Sequence, residues 1–198
     1  MSKIVTLMQG VTMDRDSFQE KMMMVNDAFM EERYEESLAG GEALSAELQS
    51  LPLCEAEMLC WPLYYRIRSL HALSRWAEQT QLMRDEAFML HAIGPQNSAY
   101  AYSLTMEASA QAGELDELPT WAYGCFDGRL MDDDHEALKM AISTSRHLLE
   151  LFERLELFPA VLEKLAEAAE RHHDDQLAQF ARQWALKERG ELPEDEGH

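Results

Sequence analysis

The sequence predicts an all-α protein of about nine helices, on three observations. No segment alternates apolar and polar residues over six positions with β-branched side chains; only residues 4–7 read as extended. Apolar residues instead recur at helical spacing along most of the 198-residue chain. Short Gly- and Pro-containing breaks divide these stretches into segments of ordinary helix length.

The elements follow in order. The first helix spans 15–32. Its S-F-Q-E start reads as a capping box with Ser17 as cap and Glu20 at the third helical position. Phe18, Met22, Val25 and Phe29 then form one apolar stripe. A second helix, 34–50, ends before Pro52. A third, 54–77, carries Ile67, Leu70 and Leu73, with Pro62 either starting or kinking it. The fourth, 80–93, stops at Gly94-Pro95-Gln96-Asn97, and the fifth and sixth occupy 97–113 and 116–124. Gly124 to Gly128 reads as a break. The seventh, 132–155, starts on Asp133 as cap with Glu136 in the first turn. The eighth, 158–172, takes Pro159 in its first turn, where a missing N–H costs little. The ninth, 174–189, carries Leu177, Phe180, Ala181, Trp184 and Ala185 as a similar apolar stripe. The domain reading is an N-terminal extension over 1–14, one helical domain over 15–189, and a disordered acidic tail over 190–198.

Charge restricts the partners. Asp and Glu number 37 against 17 Lys and Arg, a formal net charge of -20. Such a field repels nucleic acid and anionic membrane and steers a basic protein towards it. No apolar run approaches the roughly 18 residues that cross a bilayer, and no secretory leader is legible, so the expected location is cytoplasmic. Cys54, Cys60 and Cys125 lack C-x-x-C spacing and read as buried thiols.

The stretch R-Y-E-E-S-L-A-G-G-E-A-L, residues 33–44, resembles the turn and second-helix start of a tetratricopeptide repeat (TPR). In that resemblance Tyr34 closes a helical hairpin, Ser37 and Ala43 are the small positions, and Pro52 ends the unit. Close packing is one reason to accept Gly40 and Gly41, each of which costs about 1 kcal/mol relative to Ala in a helix. The resemblance is close over 17–52 and partial over 97–125. Tyr34, Trp76, Leu115 and Leu157 serve as turn anchors, 42, 39 and 42 residues apart. The resemblance implies a TPR-like α-solenoid, a right-handed stack of antiparallel hairpins with a C-terminal capping helix. Its concave surface comes from the first helix of each pair. Around Tyr34 it places Val25, Ala28, Glu32, Glu35 and Glu36 towards the groove; around Trp76, Ser74 and Glu78; around Leu115, Asp116 and Glu117. The expected partner-binding set is therefore Glu32, Glu35, Glu36, Glu78, Asp116 and Glu117.

Chemistry-bearing motifs are weak. H-H-D-D at 172–175 contains a His-Asp pair, but reads better as a helix end followed by an Asp174 cap. M-D-D-D-H-E, 131–136, matches neither an EF-hand loop nor H-E-x-x-H. There is no G-x-S-x-G, S-x-x-K or phosphate-binding loop. Met22-Met23-Met24 go round a helix, so at least one leaves the core, and Met23 or Met24 could line an adaptable wall. The expectation is a non-enzymatic module without cofactor or metal. It holds a basic protein partner as a small inhibitor, an immunity protein or a secretion chaperone. A helical metal-dependent hydrolase using His135, His147 or His172-His173 and a subunit of a larger assembly are the alternatives.

Overall fold

The structure, a computed structural model, describes residues 13–51 and 56–191. Over these residues it is all-α, with nine α-helices and no strand: α1 Arg15–Met30, α2 Tyr34–Gln49, α3 Ala56–Ala72, α4 Trp76–Glu86, α5 Pro95–Gln111, α6 Leu118–Met131, α7 His135–Leu151, α8 Phe158–Arg171 and α9 Asp175–Glu188. Three 3₁₀ segments, Ala87–Ile93, Leu115–Glu117 and Leu155–Leu157, complete the order. The proposed N-terminal extension and acidic tail lie almost wholly outside the described residues.

The span 15–189 comprises two compact units. Described residues up to Arg75 with Leu82–Ile93 make the first, and Trp76–Gln81 with the residues from Gly94 onward make the second. In the first, α1, α2 and α3 pack on one another and α3 also packs on the 3₁₀ segment after α4. Leu44, Leu48 and Met58 form a buried cluster there, with Met13, Phe18 and Met22 against it. In the second, α5 packs on α6, α6 on α7 and α8, and α8 on α9. Phe126, Phe158, Leu149, Leu162 and Leu165 are fully buried in it.

One turn recurs along the chain. Glu32, Ser74, Gly113, Asp133, Glu153, His173 and Gly190 all have positive φ, between 55° and 79°. At each, the left-handed residue donates its N–H to the carbonyl three residues back. The next residue donates to the carbonyl five back, as in Arg33 N to Ala28 O and Arg154 N to Leu149 O. These are Schellman caps, which satisfy helix-end carbonyls and reverse the chain within three residues. Positions 113, 133, 153 and 173 are spaced by 20 residues each. Tyr34, Trp76 and Leu115 each follow the left-handed residue by two. The fourth equivalent position is Leu155 rather than Leu157, which makes the spacing 42, 39 and 40.

Small residues set the helix approaches. Ser37, fully buried, donates its hydroxyl to Val25 O at 3.0 Å. A Cβ on Gly40 would lie 3.0 Å from Val25 Cγ2, and one on Gly41 would lie 2.9 Å from Arg66 Cγ. Tyr34 packs edge-on against Phe29 across the α1–α2 turn, with centroids 5.3 Å apart. Ala43, by contrast, is exposed. The packing position expected there falls to Gly41, because the buried face of α2 runs through residues 37, 38, 41, 44, 45 and 48.

Other boundaries are corrected. Asp14, not Ser17, caps α1, its carboxylate accepting from Asp16 N at 2.9 Å. Asp134, not Asp133, caps α7 by accepting from Ala137 N, since Asp133 is taken by the left-handed turn. Helix α6 passes through Gly124 and Gly128 without a break. There the glycines admit α5: a Cβ on Gly124 would sit 2.5 Å from the Tyr102 ring, and one on Gly128 2.8 Å from Pro95 O. Pro62 lies inside α3, and Pro159 sits at the start of α8 as expected.

Candidate functional site

Two grooves lie between the first helices of successive helix pairs, one in each unit. The first, of about 490 Å³, is lined from α1 by Arg15, Phe18, Gln19, Met22, Met23 and Asn26, and from α3 by Met58, Trp61 and Tyr65. The α1 residues fall at i, i+3, i+4, i+7, i+8 and i+11, one helix face; the α3 residues fall at i, i+3 and i+7. Met58 belongs to the buried Leu44–Leu48–Met58 cluster, against which Phe18 and Met22 also pack. The Tyr65 hydroxyl donates to Asn26 Oδ1 at 2.6 Å and so ties α3 to α1. Burial pushes the Tyr65 phenol above its ordinary range, while the Arg68 cation pulls it back. The Arg68 guanidinium lies 4.2 Å from the Phe29 ring centroid and 5.6 Å from that of Tyr65. That cation–π stack stiffens the end of the aromatic wall.

Met23 is 63% exposed and Met24 68% exposed, so neither belongs to the core. Met23 is the groove-wall methionine that the M-M-M run allowed. Asp16, Glu20 and Asp27, all exposed, follow at i, i+4 and i+11 on the next strip of α1. The groove therefore has an apolar, adaptable lining and an acidic border. Arg15, also in the lining, is itself engaged in an interaction.

The second groove, of about 470 Å³, takes Glu107 and Gln111 from α5 and Ser143, Thr144, His147, Leu148 and Leu151 from α7, with Trp76. Five of its eight lining residues carry polar or titratable side chains.

The six acids expected to bind a partner lie at hairpin turns. Glu32 is the left-handed turn residue after α1, and Glu35 and Glu36 are in the first turn of α2. Glu78 is in the first turn of α4, and Asp116 and Glu117 form the 3₁₀ turn before α6. None of the six lines either groove. The first turn of a helix favours acids because its N–H dipoles point at them. Arginines meet Glu35, Glu36 and Asp116. Arg33 pairs with Glu36, and Arg75 Nη1 lies 3.4 Å from Glu35. Arg154 Nη2 lies 2.6 Å from Asp116. The last two share one register: an Arg directly after a left-handed residue reaches an acid three residues beyond the left-handed residue of the preceding pair. Val25 and Ala28 do not face a groove. Both are buried, because that side of α1 meets Ser37 and Gly40 of α2.

Asp174 caps α9 by accepting from Leu177 N at 3.0 Å, as its position in H-H-D-D suggested. His172, at the end of α8, lies 3.0 Å from Asp127 Oδ1, and Arg171 Nη1 lies 3.3 Å from Asp127 Oδ2. This cluster joins α6 to α8. Among the described residues no group of three or more His, Cys, Asp or Glu side chains could hold a metal. Nor is any helix among them long and apolar enough to cross a membrane. Cys60 and Cys125 are both buried, and burial pushes the Cys125 thiol up to about 11; Cys54 lies outside the described residues. No protein-family model matches the chain, and no curated protein matches it.

Sequence reasoning passed over Trp61, Tyr65, Met58 and Asn26 as site residues. The run L-C-W-P-L-Y-Y, 59–65, carried a signal: Trp61, Tyr64 and Tyr65 at i, i+3 and i+4 make one aromatic strip whose polar tips need a partner or solvent.

Proposed function

We propose that this chain is a non-catalytic, TPR-like protein-binding module that holds a basic protein partner. A small cytoplasmic inhibitor, an immunity protein or a secretion chaperone fits that role. The observation that carries the reading is the pair of grooves between α1 and α3 and between α5 and α7. In a hairpin stack, the first helices are the ones that present a binding surface. The net charge of -20 supports a basic partner, which it would steer into encounter. The acids at Glu32, Glu35, Glu36, Glu78, Asp116 and Glu117 contribute to that long-range field. Of the arginines that meet these acids, Arg33 is exposed and Arg75 and Arg154 are half-buried, while the acids themselves are exposed, so solvent screens each pair and a competing cation can displace it.

The test is photo-cross-linking in the cells that express the chain. A photoreactive side chain replaces Met23 or Ser143, one beside each groove, with exposed Ala46 of α2 as the control position. The expected result is one discrete adduct with a basic protein from a groove position and none from Ala46. Absence of any adduct from both grooves, or equal adducts from Ala46, would overturn the reading.

A further inference from the structure

We propose that the groove between α1 and α3 receives an amphipathic helix of the partner, with bulky apolar residues on one face and Lys or Arg along its flank. This rests on the protein-binding reading above and names the recognition element. Three observations lead to it. Six of the nine lining residues are Phe18, Met22, Met23, Met58, Trp61 and Tyr65, flexible thioethers beside aromatic faces, which repack around varied apolar anchors, while Arg15, Gln19 and Asn26 supply the polar remainder. The neighbouring strip of α1 carries Asp16, Glu20 and Asp27, spaced as a Lys or Arg row on a helix lying alongside would be spaced. The described residues contain no strand, so they offer no sheet edge to which an extended peptide could add.

Met23 marks the edge of the groove. A side chain 63% exposed contributes little to the fold, yet it stands between the apolar lining and the acidic strip. An incoming helix would cover it with its apolar face and place its basic flank over Glu20 and Asp27. Tyr65, held by Asn26, fixes the opposite wall, so that α1 and α3 keep their separation when the groove is empty.

The probe is a fluorescein-labelled amphipathic Leu/Lys peptide of about 18 residues, long enough to hold a helix once bound. Controls are a scrambled peptide of the same composition and the same pattern with Glu for Lys. Binding to the full-length chain is read by anisotropy and by Trp61 emission, assigned with Trp61→Phe. The patterned Leu/Lys peptide should bind at least about tenfold more tightly than the scrambled one, and the Leu/Glu peptide should not bind. Met23→Lys should weaken binding about tenfold or more with unchanged folding. Glu20→Gln with Asp27→Asn should weaken it a few-fold at low salt and flatten its salt dependence. Equal binding of the scrambled peptide, or no effect of Met23→Lys, would leave only a diffuse field and overturn the proposal. Displacement by a peptide of residues 1–12 would assign the groove to the chain's own N-terminal segment. A dimer dissociated by Met23→Lys would assign it to a second copy. Either result overturns the proposal. A discrete adduct at Ser143 together with failure of the peptide would sink this inference while the broader reading stands.

Discussion

Gly128→Ala isolates the close approach of α5 and α6. Two effects oppose each other. Ala is the better helix former by about 1 kcal/mol, so an open site would gain stability. Here the new methyl would lie 2.8 Å from Pro95 O and 3.0 Å from Ala99 Cβ. Comfortable contacts to carbon begin near about 3.5 Å, so α5 must retreat by more than half an ångström. The first obstacle is backbone, which cannot rotate aside as a side chain can. Overpacking of this kind costs about 1–3 kcal/mol, and a backbone obstacle puts the cost towards the upper end of that range. The expected net loss is about 1–2 kcal/mol, a fall of roughly 2–8 °C in the melting temperature for a protein of this size. Urea and thermal unfolding followed by circular dichroism measure it. Ala46→Gly on exposed α2 calibrates the propensity term alone. A Gly128→Ala protein as stable as the parent, or more so, would mean that α6 does not need the glycine and that the α5–α6 packing is misjudged.

Glu153→Gly should stabilise by roughly 1 kcal/mol, because a left-handed backbone strains any side chain; an unchanged or lower melting temperature would contradict the turn geometry. Ala43→Trp should change stability by no more than about 0.5 kcal/mol, since Ala43 is exposed; a large loss would restore it to the packing face. Cys125, with its thiol raised from 9.0 to about 11, loses its proton first in the unfolded chain. Its contribution is therefore neutral below pH 9 and destabilising as pH rises towards 11, about 1 kcal/mol by pH 10. The parent should lose that much more than Cys125→Ala between pH 7 and 10. Parallel pH profiles would refute a buried thiol.

The sequence by itself determined the helical class and most element positions, because apolar period and chain breaks are local properties. Pro159 and the Asp174 cap act within one turn of where they stand, and the structure places them as expected, whereas the break expected over Gly94-Pro95-Gln96-Asn97 shrinks to Gly94 because Pro95 opens α5. Tertiary packing decided what the glycines mean. Gly124 and Gly128 look like a break until Tyr102 and Pro95 of another helix lie against them. The same holds for Ala43 and Gly41: both are small and only two residues apart, and helix rotation alone sends one to solvent and the other against Arg66. The acids were legible as charge, but their neighbours were not. Arg75 meets Glu35 across 40 residues of chain, and Arg154 meets Asp116 across 38. The α1–α3 groove was half legible. The M-M-M run announced that a methionine must leave the core, but which one, and that Trp61 and Tyr65 would face it, depended on how α3 docks. A helix period fixes which residues share a face; only the partner helix fixes what that face meets.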